Sequence, residues 1–309
     1  MIDTLNMWMD GADIEGAKPF DILPYLSDVT EKNNNARGLH YSGKCGSYSV
    51  NVYSYGIMFV GSLVKYYYGD NLHTLTHKTT IEALKMLSDT LHIQMDEANI
   101  IRLDLSATMP MKKPVFCYYP YLGEKTRFQR NEVCTNTLYY TTNQKRLAFY
   151  DKTKEALKSG VIIPEILQNA NLLRYELRYT NRCKSQLGKE AVKVKNLYNK
   201  GFYISLVKNW LNEFKSIKKN NKTTIDMECI KTPKDAINVC ICQALQEYGQ
   251  KNIDDFLSLL KSQKVFTDRQ NLYKVKKELA KMMQSQTIIK DDMLLELENN
   301  IKDVAMFQM

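Results

Sequence analysis

The chain has 309 residues, is 44% hydrophobic, and carries 43 Lys and Arg against 34 Asp and Glu, a formal net charge of +9. That apolar content suffices for a packed core and excludes disordered, collagen-like and low-complexity chains, while the length allows one large domain or two smaller ones. Apolar runs stay far below the ~18–20 residues of a membrane span. The opening MIDTLNMWMDGADIEG has neither the basic region nor the hydrophobic stretch of a signal peptide. The seven cysteines, at 45, 117, 134, 183, 229, 240 and 242, form no CxxC pair and no paired zinc spacing. The expectation is a cytoplasmic protein with reduced thiols and no membrane partner.

The first 180 residues read as strands. IDTLNMW (2–8), SYSVNVY (47–53), IIRLDLSATM (100–109), TLYYTT (137–142), KRLAFYD (145–151) and LLRYELRYT (172–180) are short, β-branched or aromatic, and partly alternating. One helix is predicted among them, at about Thr79–Leu91. GSLVKYYYGDN (61–71) reads as a turn closing the sheet or as a DNA contact through Lys65, Tyr66, Tyr67 and Tyr68; it is not a GxxxxGK[ST] loop, so ATPase and helicase chemistry are not expected. From about Ile204 the apolar spacing turns helical, through SLVKNWLNEFKSI, PKDAINVCICQALQEYG, NIDDFLSLLKSQ, RQNLYKVKKELAKMM and DDMLLELENNIKDV. The polar KKNNKTT (218–224) is the best linker, placing one domain at 1–217 and a helical region at 225–309. A helix-turn-helix around 233–262 competes with ordinary bundle packing, and no internal repeat is found. The fold class is α+β: a twisted antiparallel sheet with helices on one face and the other face open, followed by helices.

Charge is unevenly distributed. From Arg174 to Lys222 there are 13 basic residues against Glu176, Glu190 and Glu213, a surplus larger than that of the whole chain. Interleaved with Tyr175, Tyr179, Tyr198, Phe202, Tyr203 and Trp210, these cations suit a polyanion with stackable bases, as well as a solvated helix face over core aromatics.

Chemistry is expected from three strands that carry ionisable groups beside basic ones: Arg102 with Asp104, Tyr150 with Asp151 and Lys152, and Arg174 with Glu176 and Arg178. Residues two apart in a strand share a face. So Arg102 and Asp104 pair up, as do Arg174, Glu176 and Arg178, and Tyr150 joins Lys152 if its strand continues. Buried charge of this kind demands a partner or a cleft. Carboxylates so grouped can hold Mg²⁺ or Mn²⁺ for phosphate displacement, and a tyrosine beside a cation is a candidate nucleophile.

Five segments in order, MIDTL, GSLVKYYYGDN, IIRLDLSAT, YDKTKE (150–155) and LLRYELRYTNR (172–182), make residues 1–182 resemble the gene II/X replication endonucleases of filamentous phages and related plasmid initiators. The resemblance implies a bacterial rolling-circle initiator that nicks one strand of a double-stranded origin and stays joined to its 5′ end. It leaves a 3′ hydroxyl for polymerase and later rejoins the displaced single strand, alongside a host helicase and polymerase. It implies Tyr150 as nucleophile supported by Lys152, Asp104 and Glu176 as metal ligands for Mg²⁺ or Mn²⁺, and Arg102, Arg174, Arg178, Arg182 and Lys65 as DNA contacts. Tyr139 and Tyr140 are the alternative nucleophiles, and Asp151 and Glu155 the candidate third ligands. The His-hydrophobe-His metal motif of many rolling-circle nickases is missing: His40, His73, His77 and His92 include no such pair, and His73 and His77 read as surface or capping residues. Two rivals remain. A non-enzymatic DNA-binding regulator would use the same basic stripe and keep the carboxylates in structural ion pairs. A tyrosine recombinase would need a mostly helical catalytic domain and usually an HxxR element, which is lacking.

Overall fold

The computed structural model describes residues 1–34, 38–133, 136–160, 170–180, 183–188, 191–220, 232–248, 250–263, 265–266, 268–284 and 292–309. Its strands are β1 (Ile2–Asp10), β2 (Ser27–Asn34), β3 (Gly38–Cys45), β4 (Tyr48–Tyr53), β5 (Gly56–Val60), β6 (Asn99–Met111), β7 (Gln129–Val133), β8 (Thr137–Thr141), β9 (Lys145–Asp151) and β10 (Asn171–Tyr179). They form one antiparallel sheet in the order β2-β3-β4-β5-β1-β6-β10-β9-β8-β7. The α+β class and the antiparallel sheet read from the sequence are what the chain adopts, whereas the polar face expected to be open is largely buried at its centre, at Asp104, Ser106, Arg174 and Glu176.

Although the sequence carries no visible repeat, the strand path repeats. β1 leads through a 3₁₀ segment (Pro19–Tyr25) to the edge strand β2, and a meander returns inward until β5 lies beside β1. In the same way, β6 leads through a 3₁₀ segment (Val115–Tyr121) to the edge strand β7, and a meander returns until β10 lies beside β6. The two starting strands pair with each other at the centre.

Strand alternation sorts the side chains. In β6, Leu103, Leu105, Ala107 and Met109 are buried on one face, and Arg102, Asp104, Ser106 and Thr108 lie on the other. Helices cover the apolar face. In α1 (Leu63–Tyr68), Tyr66 packs edge-on against Tyr48 of β4, and its hydroxyl donates to Thr90 of α2 (His77–Leu91) behind it. Thr76 caps α2, its hydroxyl accepting the Thr79 amide, so the helix starts two residues before the apolar spacing suggested. In α5 (Lys200–Lys215), Tyr203, Leu206, Val207, Trp210 and Phe214 make one buried stripe at helical spacing. Trp210 lies 4.6 Å from the Tyr175 ring, which stacks on Phe149 at 4.5 Å, and the Tyr175 hydroxyl donates to the Trp210 carbonyl. The remaining helices are α3 (Lys152–Lys158), α4 (Cys183–Gln186), α6 (Pro233–Tyr248), α7 (Gln250–Ser262), α8 (Arg269–Gln284) and α9 (Asp292–Gln308).

The chain divides into a unit of Met1–Asn220 with Glu296–Met309, and a unit of Asn221–Leu295. The linker segment begins as bound chain: the Lys218 and Asn220 amides donate to the carbonyls of Glu124 and Tyr121. Most of α9 belongs to the first unit, where Glu296 accepts from the Lys112 amide and the Tyr118 hydroxyl, and Gln308 accepts from Tyr203. In the second unit α6, α7 and α8 pack on one another. The helix-turn-helix alternative around 233–262 falls on α6 and α7, whose junction at 249 lies outside the described residues. Among the described residues, no helix is long and apolar enough to cross a membrane.

Trp210 is fully buried between helix and sheet. Trp210→Ala should therefore cost about 3–5 kcal/mol, measured as a lowered midpoint in urea denaturation followed by far-ultraviolet circular dichroism.

Candidate active site

Antiparallel register assembles the polar face in rows. Arg178 of β10 stands opposite Asp104 of β6 on one side and Arg146 of β9 on the other. Glu176 is opposite Ser106 and Ala148, and Arg174 is opposite Thr108 and Tyr150. One strand further out, Tyr139 faces Ala148 and Thr137 faces Tyr150. The residues singled out on three separate strands therefore meet on one sheet face.

Arg174, with no solvent exposure, anchors this face. Its Nη2 donates to Asp3 Oδ2 at 2.5 Å and to Ser106 Oγ at 2.6 Å, and its Nη1 to the Asn71 carbonyl at 2.7 Å and Thr108 Oγ1 at 3.0 Å. Asp3 accepts a further bond from Ser62 Oγ at 2.8 Å. Burial opposes ionisation of Asp3, but Arg174 together with the Ser62 and Arg174 hydrogen bonds outweighs it and holds the carboxyl below its ordinary range. Burial likewise opposes charge on Arg174, and Asp3 overrides it. Ser62 and Asn71 lie at the two ends of GSLVKYYYGDN, so that segment supports the site from both sides. Its tyrosines make contacts within the protein: Tyr66 bonds Thr90, Tyr67 donates to Glu82, and the exposed Tyr68 stacks on His73.

Asp104 is 1% exposed and saturated with donors. Arg102 reaches it through Nε at 3.0 Å and Nη2 at 2.5 Å, and Arg178 through Nε at 3.0 Å. Arg178 Nη2 also donates to Glu176 Oε1 at 2.8 Å, so one guanidinium bridges the two carboxylates. Burial and the nearby Asp104 raise the Glu176 carboxyl above its usual range. A divalent cation shared by Asp104 and Glu176 would have to occupy the place of Arg178. Among the described residues no group of three His, Cys, Asp or Glu side chains is arranged to hold a metal. The Asp104 and Glu176 pair as arranged here therefore does not fit that ion.

Tyr150 is half-buried at the wall of a cleft of about 320 Å³ that Glu176, Arg178, Arg146, Tyr139, Asp151 and Glu155 also line. Its hydroxyl lies 3.5 Å from Glu176 Oε2. Burial pushes the phenol well above its ordinary value; Arg174 pulls it down, and Glu176 and Asp3 add to the rise. The strand ends at Asp151, whose side chain caps α3 by accepting the Lys154 amide. Lys152 thus starts a helix instead of continuing the strand. Fully buried, it pairs with Glu155, and burial followed by Arg174 lowers its pKa against the opposing pull of Glu155 and Asp3.

The other residues named from sequence fall elsewhere. Lys65 lies in α1, on the helix-covered side of the sheet, and does not line the cleft. Arg182 lies outside the described residues. Tyr140 is buried in the core, its hydroxyl donating to the Leu122 and Gly123 carbonyls, so it is no nucleophile. His77 contacts the Leu197 carbonyl and His73 pairs with Asp70, so the two do not share a ligand position. The basic stripe does not act as one surface: Arg174 and Arg178 face the site, whereas α5 covers the opposite face, and Tyr175, Tyr179, Tyr203 and Trp210 are core residues. The residues missed are Asp3, Ser62 and Asn71. Asp3 was open to detection as the one charged residue within the strand-like run IDTLNMW.

Replacing Asp3 by Asn would leave Arg174 buried without a counter-charge, at a cost of about 3–5 kcal/mol. Because the folded-state pKa of Asp3 is depressed, its contribution is present above the unfolded carboxylate value and lost as pH falls through the folded one. Urea titrations of Asp3→Asn should show the loss at neutral pH and a shallower decline in stability below about pH 4.

A family model described as the N-terminal part of the phage gene II replication-associated protein matches residues 1–213. No curated protein matches the chain. The match spans the whole ten-stranded sheet and most of α5, including every element of the site, and a replication protein of this kind works on DNA. The chain belongs to the phage gene II family of replication-associated proteins.

Proposed function

We propose that the protein initiates rolling-circle replication by nicking one strand at its origin and rejoining the displaced strand, through a phosphotyrosine on Tyr150. The observation that supports this reading is the placement of the Tyr150 hydroxyl in an open cleft, 3.5 Å from a carboxylate oxygen of Glu176 and beside guanidinium groups. Tyr150 Oη attacks the scissile phosphorus while its proton passes to Glu176. The bond from phosphorus to the 3′ oxygen breaks, that oxygen takes a proton from solvent, and the 5′ phosphate remains on Tyr150. Rejoining runs the same bonds in reverse. Arg178, which lines the cleft, opposes the negative charge that grows on the phosphoryl oxygens, and a carboxyl with a raised pKa is a better proton acceptor than an ordinary one. Lys152 positions the nucleophile's strand end through its pairing with Glu155.

The alternative, a non-enzymatic DNA-binding regulator, draws on the ion pairs that saturate Asp104. Those pairs are what a structural role requires, whereas Tyr150 lines the cleft with its hydroxyl directed at Glu176, as a nucleophile beside its base would be.

The experiment is strand-labelled nicking of supercoiled DNA carrying the element's own origin, in Mg²⁺, in Mn²⁺ and in chelator. Tyr150→Phe should reduce nicking by about 10³-fold or more and abolish the covalent 5′ adduct. Cleavage lost in chelator would show that a divalent cation takes part in the reaction; binding without cleavage under any condition would favour the regulator. With Glu176 accepting the proton, the single-turnover rate should fall as pH drops through its carboxyl pKa, with a midpoint above 4.5. Glu176→Gln should remove that acid limb and cost about 10²–10⁴-fold in rate.

A further inference from the structure

Arg146 and Arg178 stand directly opposite each other on β9 and β10. Like charges in register across an antiparallel pair repel, so each needs a counter-charge. Arg178 has two, Asp104 and Glu176. Among the described residues Arg146 has no carboxylate within ion-pair distance, and its Nε is buried with no hydrogen-bond partner. Its guanidinium lies instead over the Tyr139 ring, 3.8 Å from the centroid. Between Arg146 and Tyr150 the same strand face carries only the methyl group of Ala148, with Tyr139 and Glu176 at its two cross-strand positions. The result is a slot with a small floor, one aromatic wall and an unneutralised cation at one end.

From this geometry we infer that Arg146 and Tyr139 form a nucleotide subsite for single-stranded DNA next to the scissile phosphate. A guanidinium lying over a ring offers a second flat face on which a base stacks, while its in-plane N–H donors remain available for a backbone phosphate. Stacking of this kind is tolerant of base identity, because every base has a π face. Arg146 lies four residues from Tyr150 along β9, about 13 Å at ~3.3 Å per residue, so the subsite takes a neighbouring nucleotide and not the attacked one. This placement relative to the scissile phosphate rests on Tyr150 as the nucleophile; the binding of a base and a phosphate does not.

The test uses the full-length chain and fluorescence anisotropy with two labelled 12-nucleotide probes, an oligothymidylate and an abasic backbone of the same length. Wild type should bind the oligothymidylate about tenfold more tightly than the abasic probe. Tyr139→Leu should bring that ratio close to one, and Tyr139→Phe, which keeps the ring, should preserve it. Arg146→Gln should weaken both probes and reduce the salt slope by about 0.7. Should Tyr139→Leu fail to fold, as judged by circular dichroism, the Tyr139→Phe and Arg146→Gln arms still decide. A wild-type ratio of one, or an Arg146→Gln salt slope equal to wild type, overturns the subsite even if Tyr150-dependent nicking is intact. A base-dependent ratio lost in Tyr139→Leu, together with origin DNA that is never cleaved, supports the subsite while the nickase reading falls.

Discussion

A guanidinium without solvent contact sets the terms for this molecule. Arg174 sits at the middle of a sheet face, and the cost of burying it is offset by Asp3, by the hydroxyls of Ser106 and Thr108, and by the Asn71 carbonyl. Those partners come from β1, β6 and the segment after α1, so the central strands of both half-sheets and the connection between them converge on one side chain. Three further charged groupings repeat the arrangement nearby: Arg102 with Asp104, Arg178 with Asp104 and Glu176, and Lys152 with Glu155. Four cations in these groupings thus meet four carboxylates.

That balance shapes the chemistry. Each carboxylate is held by a neighbour that fixes its position, and Glu176 alone combines such a hold with an oxygen beside the Tyr150 hydroxyl. The phenol is neutral at rest because burial and the carboxylates of Glu176, Asp3 and Glu155 raise its pKa against the pull of Arg174. A phosphate entering the cleft would find Arg178 already paired with two carboxylates, whereas Arg146, stacked on Tyr139, has no carboxylate partner among the described residues. The stability of the sheet and the reactivity of its open face are two outcomes of the same pairing.

Much of this was legible along the chain. Period-two alternation identified β1, β4, β6, β8, β9 and β10, because each buries one face under helices and so must alternate apolar with polar residues. Of the strands that escaped, β2, β3 and β7 are edge or meander strands with mixed polarity, such as SDVTEKNN and QRNEV, and β5, GIMFV, is a short apolar run without alternation. Lys152 was misplaced for a local reason: Asp151 is a strand end and a helix cap at once, and one residue of difference moves the lysine from a cleft face into the protein. The aromatic residues among the basic ones could have been core or base-stacking groups, and burial between α5 and the sheet makes Tyr175, Tyr179, Tyr203 and Trp210 core.

The charged groups on β6, β9 and β10, and the faces they share, follow from the order of residues alone, since strand periodicity is a local property that two-residue spacing encodes. Which carboxylate meets which cation follows only from the folded arrangement. Register and packing between residues about 70 to 170 positions apart place Arg178 against Asp104 and Arg174 against Asp3, and no local pattern carries that information. The physical reason is that a charge removed from water must find its partner in space, and the fold that supplies the partner also determines which oxygen remains free to face the cleft.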